Sequence, residues 1–132
     1  MSQENVEIAR RAYEHFLATG HFLEETMAPG FVWDMSHFTG WTGPQQYEGI
    51  DGARAVLAEW REVFEFQFEV EELHDAGDRV VAVVRQRGSS QATGMPMDMS
   101  FAQVVTFREG RQTRMEMYVD ASDAFRAAGL ER

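Results

Sequence analysis

An α+β fold, with helices first and an antiparallel sheet after them, is what this sequence predicts, on three observations. Apolar residues recur with helical spacing only in the first half of the chain. The second half carries runs rich in valine and phenylalanine that alternate with polar residues. Those runs are joined by tight turns, Ala76-Gly77-Asp78 and Arg108-Glu109-Gly110, too short for the crossover that a parallel unit needs. At 132 residues and 15.1 kDa the chain fits one domain, residues 1–132. Area scaling gives it roughly 7,000 Å² of folded surface against roughly 22,000 Å² unfolded, enough burial for a core and a pocket.

Ser2 is placed to cap a first helix running to about Thr19, with Gly20 closing it. Its buried stripe is Val6, Ala9, Tyr13 and Phe16, widened by Ile8, Ala12 and Leu17. A short second helix is expected over 22–27, stopped by Pro29-Gly30, and a strand over 31–36. Residues 37–50 read as a loop carrying His37, Trp41, Pro44 and Tyr47, with room for a short strand near Tyr47. Asp51 caps a third helix whose face is Ala53, Val56, Leu57, Trp60, Val63 and Phe64. Strands follow over 66–74, 79–87, 96 or 97–107 and 112–119, and a last helix over 122–128 ends at Gly129. In the strands over 79–87 and 97–107 both parities are apolar. The chain's own helices should cover only one face, so the outer face of the sheet is expected to pair with a second copy as a homodimer.

Composition narrows the function classes. Hydrophobic residues make up 44% and charged ones 26%, the balance of a soluble globular domain. No cysteine is present, which excludes disulfides, thiol catalysis, iron–sulfur clusters and cysteine-based zinc sites. The longest apolar run, Val80 to Val84, cannot span a membrane, and Met1-Ser2-Gln3-Glu4 is unlike a secretory signal. A cytoplasmic location is therefore expected. Twelve basic residues, all arginines, against 22 acidic ones give a net charge of −10 without a basic stripe. Such a body repels phosphate backbones and anionic membranes, which leaves a small molecule or another protein as partner.

The order of elements, together with Tyr47-Glu48-Gly49 before a tryptophan-bearing helix, Thr106-Phe107-Arg108-Glu109-Gly110 and Tyr118-Val119-Asp120, resembles the nuclear transport factor 2-like superfamily. Within it the chain is most similar to the SnoaL-like branch of polyketide cyclase type, relatives of ketosteroid isomerase and limonene epoxide hydrolase. The resemblance implies a curved sheet wrapped on the three N-terminal and central helices, a cone with one internal pocket (a cystatin-like α+β barrel). It implies no particular reaction, because the superfamily hosts isomerases, hydrolases, cyclases and binders.

Candidate chemistry follows from residues and resemblance together. Tyr13, on the buried stripe, needs a hydrogen-bond partner; in isomerase relatives a tyrosine on this helix donates to a developing oxyanion. Asp34 stands where ketosteroid isomerase has its proton-shuttling aspartate, and a carboxylate in an apolar cone would have a raised pKa suited to moving a proton. Alternation leaves a second reading, since Phe31, Trp33 and Met35 share one parity and Asp34 takes the other. The isomerases' second aspartate falls near Gln103, which donates a hydrogen bond but cannot serve as an acid. Limonene epoxide hydrolase suggests Asp120 as a water-activating base and Arg85 as its arginine, although Arg87 replaces the acid of that motif.

His37, three residues after Asp34, could share acid/base work with it. Trp41, Tyr47, Trp60, Phe64 and Phe101, with Tyr118 beside the late aspartate, are the candidate aromatic wall of a ligand pocket. The remaining histidines lack ligand spacing, so neither a metal nor a cofactor is expected. The methionines, Met95, Met97, Met99, Met115 and Met117 among them, read as adaptable packing. Two functions stand against each other. One is a cofactor-free enzyme moving protons on an apolar metabolite, with Asp34 or Asp120 as base, Tyr13 as donor and Arg85 as anchor. The other is a non-catalytic module of the same fold, either a ligand binder whose pocket would hold no carboxylate with a raised pKa or a protein-interaction module whose cavity would be filled by side chains.

Overall fold

The computed structural model describes residues 2–131, with side chains from Gln3 to Glu131, so the side-chain cap expected from Ser2 lies outside the described side chains. Helix α1 (Ser2–Thr19) stops at Gly20, whose φ of 76° suits glycine and whose N–H closes the last turn on the Phe16 carbonyl at 2.7 Å. The helix expected over 22–27 is only a 3₁₀ turn, Glu24–Thr26. Strand pairing takes over at Met27, where β1 (Met27–Asp34) begins beside β6. Pro29 and Gly30 sit inside β1 but at a break in its register between Met27 and Val32, where a missing N–H costs little.

A three-residue β2 (Gln46–Glu48) pairs with β1, and α2 (Gly49–Val63) follows at once. That helix starts before Asp51, which stands in its first turn and ion-pairs with Arg54 at 3.1 Å. Four long strands follow: β3 (Phe64–Ala76), β4 (Arg79–Ser90), β5 (Pro96–Arg108) and β6 (Arg111–Tyr118). Helix α3 (Ala121–Ala127) ends the fold. Its exit is a Schellman turn, with Leu130 N–H on the Phe125 carbonyl and Gly129 at φ 78°.

The strand order is β2-β1-β6-β5-β4-β3. Two expectations are corrected here. The sheet is mixed, because β1 runs parallel to β6: these strands are joined through α2 and three hairpin strands, so no tight turn forces them antiparallel. The sheet also curves without closing. β2 and β3 remain edges, so the molecule is an open cone and not a barrel.

Apolar residues are buried on both faces of the sheet, each set under a different layer. On the inner face Val80, Ala82 and Val84 of β4 and Phe101 of β5 pack beneath α1 and α2. On the outer face Val81, Val83, Ala102, Val104 and Tyr118 pack beneath Ala124 and Phe125 of α3. The chain therefore covers the apolar part of its second face itself, contrary to the premise that only another copy could. Beyond α3 that face is charged, with Arg85 and Arg87 set against Asp98 and Glu69.

Candidate functional site

The inner face of the sheet, α1 and α2 enclose a hollow of about 100 Å³. Its wall is apolar except for a few uncharged polar groups, and among the described residues no Asp, Glu, His or Arg lines it. Strand parity supplies those groups. Gln86 continues the row Val80, Ala82, Val84, and Gln103 lies between Phe101 and Val105.

Each polar group is paired. The Tyr13 hydroxyl donates to Gln103 Oε1 at 2.6 Å, and Gln103 Nε2 donates to the Met117 sulfur at 3.0 Å. Trp60 Nε1 donates to Gln86 Oε1 at 2.8 Å, and Gln112 Nε2 to the Thr26 hydroxyl at 2.9 Å. Burial pushes the Tyr13 phenol well up, so it stays a neutral donor.

Two of the expected wall residues, Trp60 and Phe101, line the hollow together with Gln103 and Tyr13. Trp41 and Tyr47 do not. Trp41 stacks on Trp60 from behind at 5.9 Å, and its indole N–H donates to the Tyr47 hydroxyl at 3.2 Å, while that hydroxyl donates to Glu59. Phe64 packs on Trp60 at 4.9 Å and borders an outer groove instead.

The charged candidates are elsewhere, and the expectation that they converge in the cone is corrected. Trp33 and Met35 take the inner parity of β1, so Asp34 points to the outer face, where it is only 3% exposed. There its carboxylate is held by Arg114 and by the Ser36 N–H at 2.8 Å. Burial works to raise this carboxyl, but the bonds from Ser36 and the Arg114 guanidinium outweigh it. The net shift is downward, the reverse of what a proton shuttle needs. Asp120 is exposed and caps α3, accepting from Ser122 N–H at 2.8 Å. Arg85 makes a forked bond to Asp98 on the outer face, at 3.0 and 2.8 Å.

His37 and Tyr118 also belong to the outer face, where their rings stack at 4.6 Å and 5°. His37 Nε2 lies 3.5 Å from Glu116. Burial first, then the nearby Glu116 and Asp34 charges, push the Tyr118 phenol up to about 12. Asp34, His37 and Glu116 present ligand atoms within 4.8 Å of one another, the residues best placed to hold a cation. Both Asp34 oxygens are already engaged, one by Arg114 and one by the Ser36 N–H.

Residues 9–115 match the model of the SnoaL-like domain. The chain belongs to this family. Solved structures resemble the SnoaL-like domain over nearly its whole length. A protein named as a SnoaL-like polyketide cyclase from Jannaschia is 26% identical with a TM-score of 0.74, the match covering 98% of this chain and 94% of that one. TerC, co-crystallized with polyporic acid, is 23% identical at a TM-score of 0.74 over 96% and 98% of the two chains. An NTF2-like protein of unknown function from Burkholderia pseudomallei is 21% identical at 0.73 over 93% and 95%. No curated protein matches this chain significantly.

Sequence reasoning missed Gln86, Gln112 and Arg114. A signal existed for Gln86, the polar residue that follows Val80, Ala82 and Val84 on one parity of β4. Arg114 carried none. Its place beside Asp34 follows from the parallel register of β1 on β6, in which Val32 faces Arg114 and Asp34 faces Glu116.

Proposed function

We propose that this SnoaL-like domain binds a small molecule, taking an uncharged and mostly apolar part of it into the cone without carboxylate acid/base chemistry. The observation that carries this reading is the lining of the hollow, whose polar groups are neutral amides, indoles and a phenol. A base there would have to be a carboxylate or imidazole, and the candidates for both roles face outward. At about 100 Å³ the hollow is of the order of the ~150 Å³ apolar cavity that accepts benzene, so one ring or a short chain fits. A ligand oxygen would take the place of Gln103 as acceptor of the Tyr13 hydroxyl, and a ligand hydroxyl could take that of Tyr13 as donor to the Gln103 amide oxygen.

The test is a calorimetric titration with cyclohexanone, against methylcyclohexane as the ligand without an oxygen. Cyclohexanone should bind, and Tyr13→Phe should weaken it by about tenfold, one charge-neutral hydrogen bond. Asp34→Asn and Asp120→Asn should leave the affinity unchanged. Loss of binding in either aspartate variant, with the fold intact, would return the carboxylates to the site.

A further inference from the structure

A groove of about 620 Å³ runs outside the hollow, between the end of α1, the end of α2 and the first half of β3. Phe16, Phe66 and Phe68 line both spaces, so groove and hollow adjoin at these three rings. Phe16 and Phe68 touch at 5.4 Å, and Leu17 leaves 51% of its surface exposed on the groove. Apolar side chains thus lie on both sides of the wall that groove and hollow share.

Arg61 is the cation of this groove. Its guanidinium carbon stands 6.0 Å over the Phe16 ring, and Nη2 donates to the Gly20 carbonyl at 3.0 Å. Arg10, Arg54, Arg85, Arg87, Arg114 and Arg126 each have a carboxylate within ion-pair distance. Among the described residues no such partner stands beside Arg61, in a chain whose net charge is −10. The Gly20 bond uses one of the five guanidinium N–H donors and leaves the others free. Glu65 also borders the groove, but as an exposed side chain of the parity opposite to Phe64, Phe66 and Phe68.

We infer that the ligand of the cone is an amphipathic monoanion, with its apolar body on Phe16, Phe66 and Phe68 and its carboxylate on Arg61. The inference rests on the binding role proposed above and adds the charged end that the neutral hollow could not accept. A planar guanidinium matches a carboxylate through paired N–H bonds. The span is short, because Phe16 itself forms both the wall of the hollow and the floor under Arg61.

Octanoate and 1-octanol, equal in apolar length and different in charge, separate the two claims. Each is titrated into the wild type, Arg61→Gln and Leu17→Glu, with unfolding of each variant measured alongside. Leu17 is exposed, so the glutamate disturbs the fold little and sets a negative charge on the groove. Octanoate should saturate, lose about tenfold in affinity in each variant, and weaken with added salt. Binding of 1-octanol should stay within about twofold throughout. The head-group assignment is overturned, with the cone still a binding site, if 1-octanol binds and octanoate does not. Equal loss of both ligands in Arg61→Gln, or octanoate binding indifferent to both substitutions, also overturns it. Failure of both ligands to bind the wild type sinks the binding role and this inference with it.

Discussion

The Tyr13 hydroxyl and the Gln103 amide oxygen meet at 2.6 Å inside the hollow, joining α1 to the middle of β5. Removing one partner strands the other in an apolar wall, which costs more than the bond itself gains. Tyr13→Phe should therefore destabilise the fold by about 1–3 kcal/mol in urea unfolding. The double variant Tyr13→Phe with Gln103→Leu should recover much of that loss, since neither group is then left unpaired. Additive losses would mean that the two side chains do not depend on each other.

All three tyrosines of the chain, Tyr13, Tyr47 and Tyr118, have phenols raised above the ordinary value of 10.0, burial being the first cause in each. For Tyr47, the Glu59 carboxylate that accepts its hydrogen adds to the effect and takes it up to about 12. A raised folded pKa stabilises the native state fully below 10.0, and that contribution fades as pH climbs towards about 12. Ultraviolet titration of the native protein should show almost no phenolate near 10.0, then a rise that coincides with unfolding. In denaturant all three should titrate near 10.0. A native step of one tyrosine near the ordinary value would refute the burial assigned to that residue.

Asp34 gives the opposite linkage. Its pKa is lowered, so it stabilises the fold above the ordinary carboxylate range, and that contribution disappears as pH falls through the folded value. Asp34→Asn keeps the shape and the Ser36 contact but strips Arg114 of its counter-charge, so a loss of about 1–3 kcal/mol is expected at neutral pH. The variant should also have a shallower loss of stability in acid than the wild type. Equal acid slopes in urea unfolding at several pH values would show that Asp34 carries no such linkage.

The same residue shows how far the sequence could be read. Alternation put Phe31, Trp33 and Met35 on one side of β1 and Asp34 on the other, and that reading holds. What misled was the resemblance, which set Asp34 in the apolar cone against that alternation. In the fold one face closes on the hollow and the other on α3 and Arg114, so burial alone did not say which interior Asp34 enters. Helices α1, α2 and α3 and the hairpins were legible because their signals are local: Gly20, Gly129 and the turns at Gly77 and Gly110 stand where the chain turns. The parallel pairing of β1 with β6 was not, because it joins residues about eighty positions apart with no turn between them to read.

Gly88 offers the sharpest test of the groove's geometry. It pairs with Phe66 across β3 and β4, and a Cβ added there would stand 1.9 Å from the Glu65 carbonyl oxygen, with φ at 154°. That neighbour is backbone and cannot swing away, so Gly88→Ala must push β3 off β4 beside Phe66 and Phe68, which line both groove and hollow. A destabilisation of about 3 kcal/mol or more is expected, at the upper end of overpacking. Gly77→Ala is the control. Its φ is +81° but no atom lies within 4 Å of the new Cβ, so it should cost only the backbone strain of about 1–2 kcal/mol. Urea unfolding of the two variants separates close approach from φ strain. If they lose the same stability, the tight contact of β3 on β4 is wrong, and the placement of the phenylalanines along the groove has to be redrawn with it.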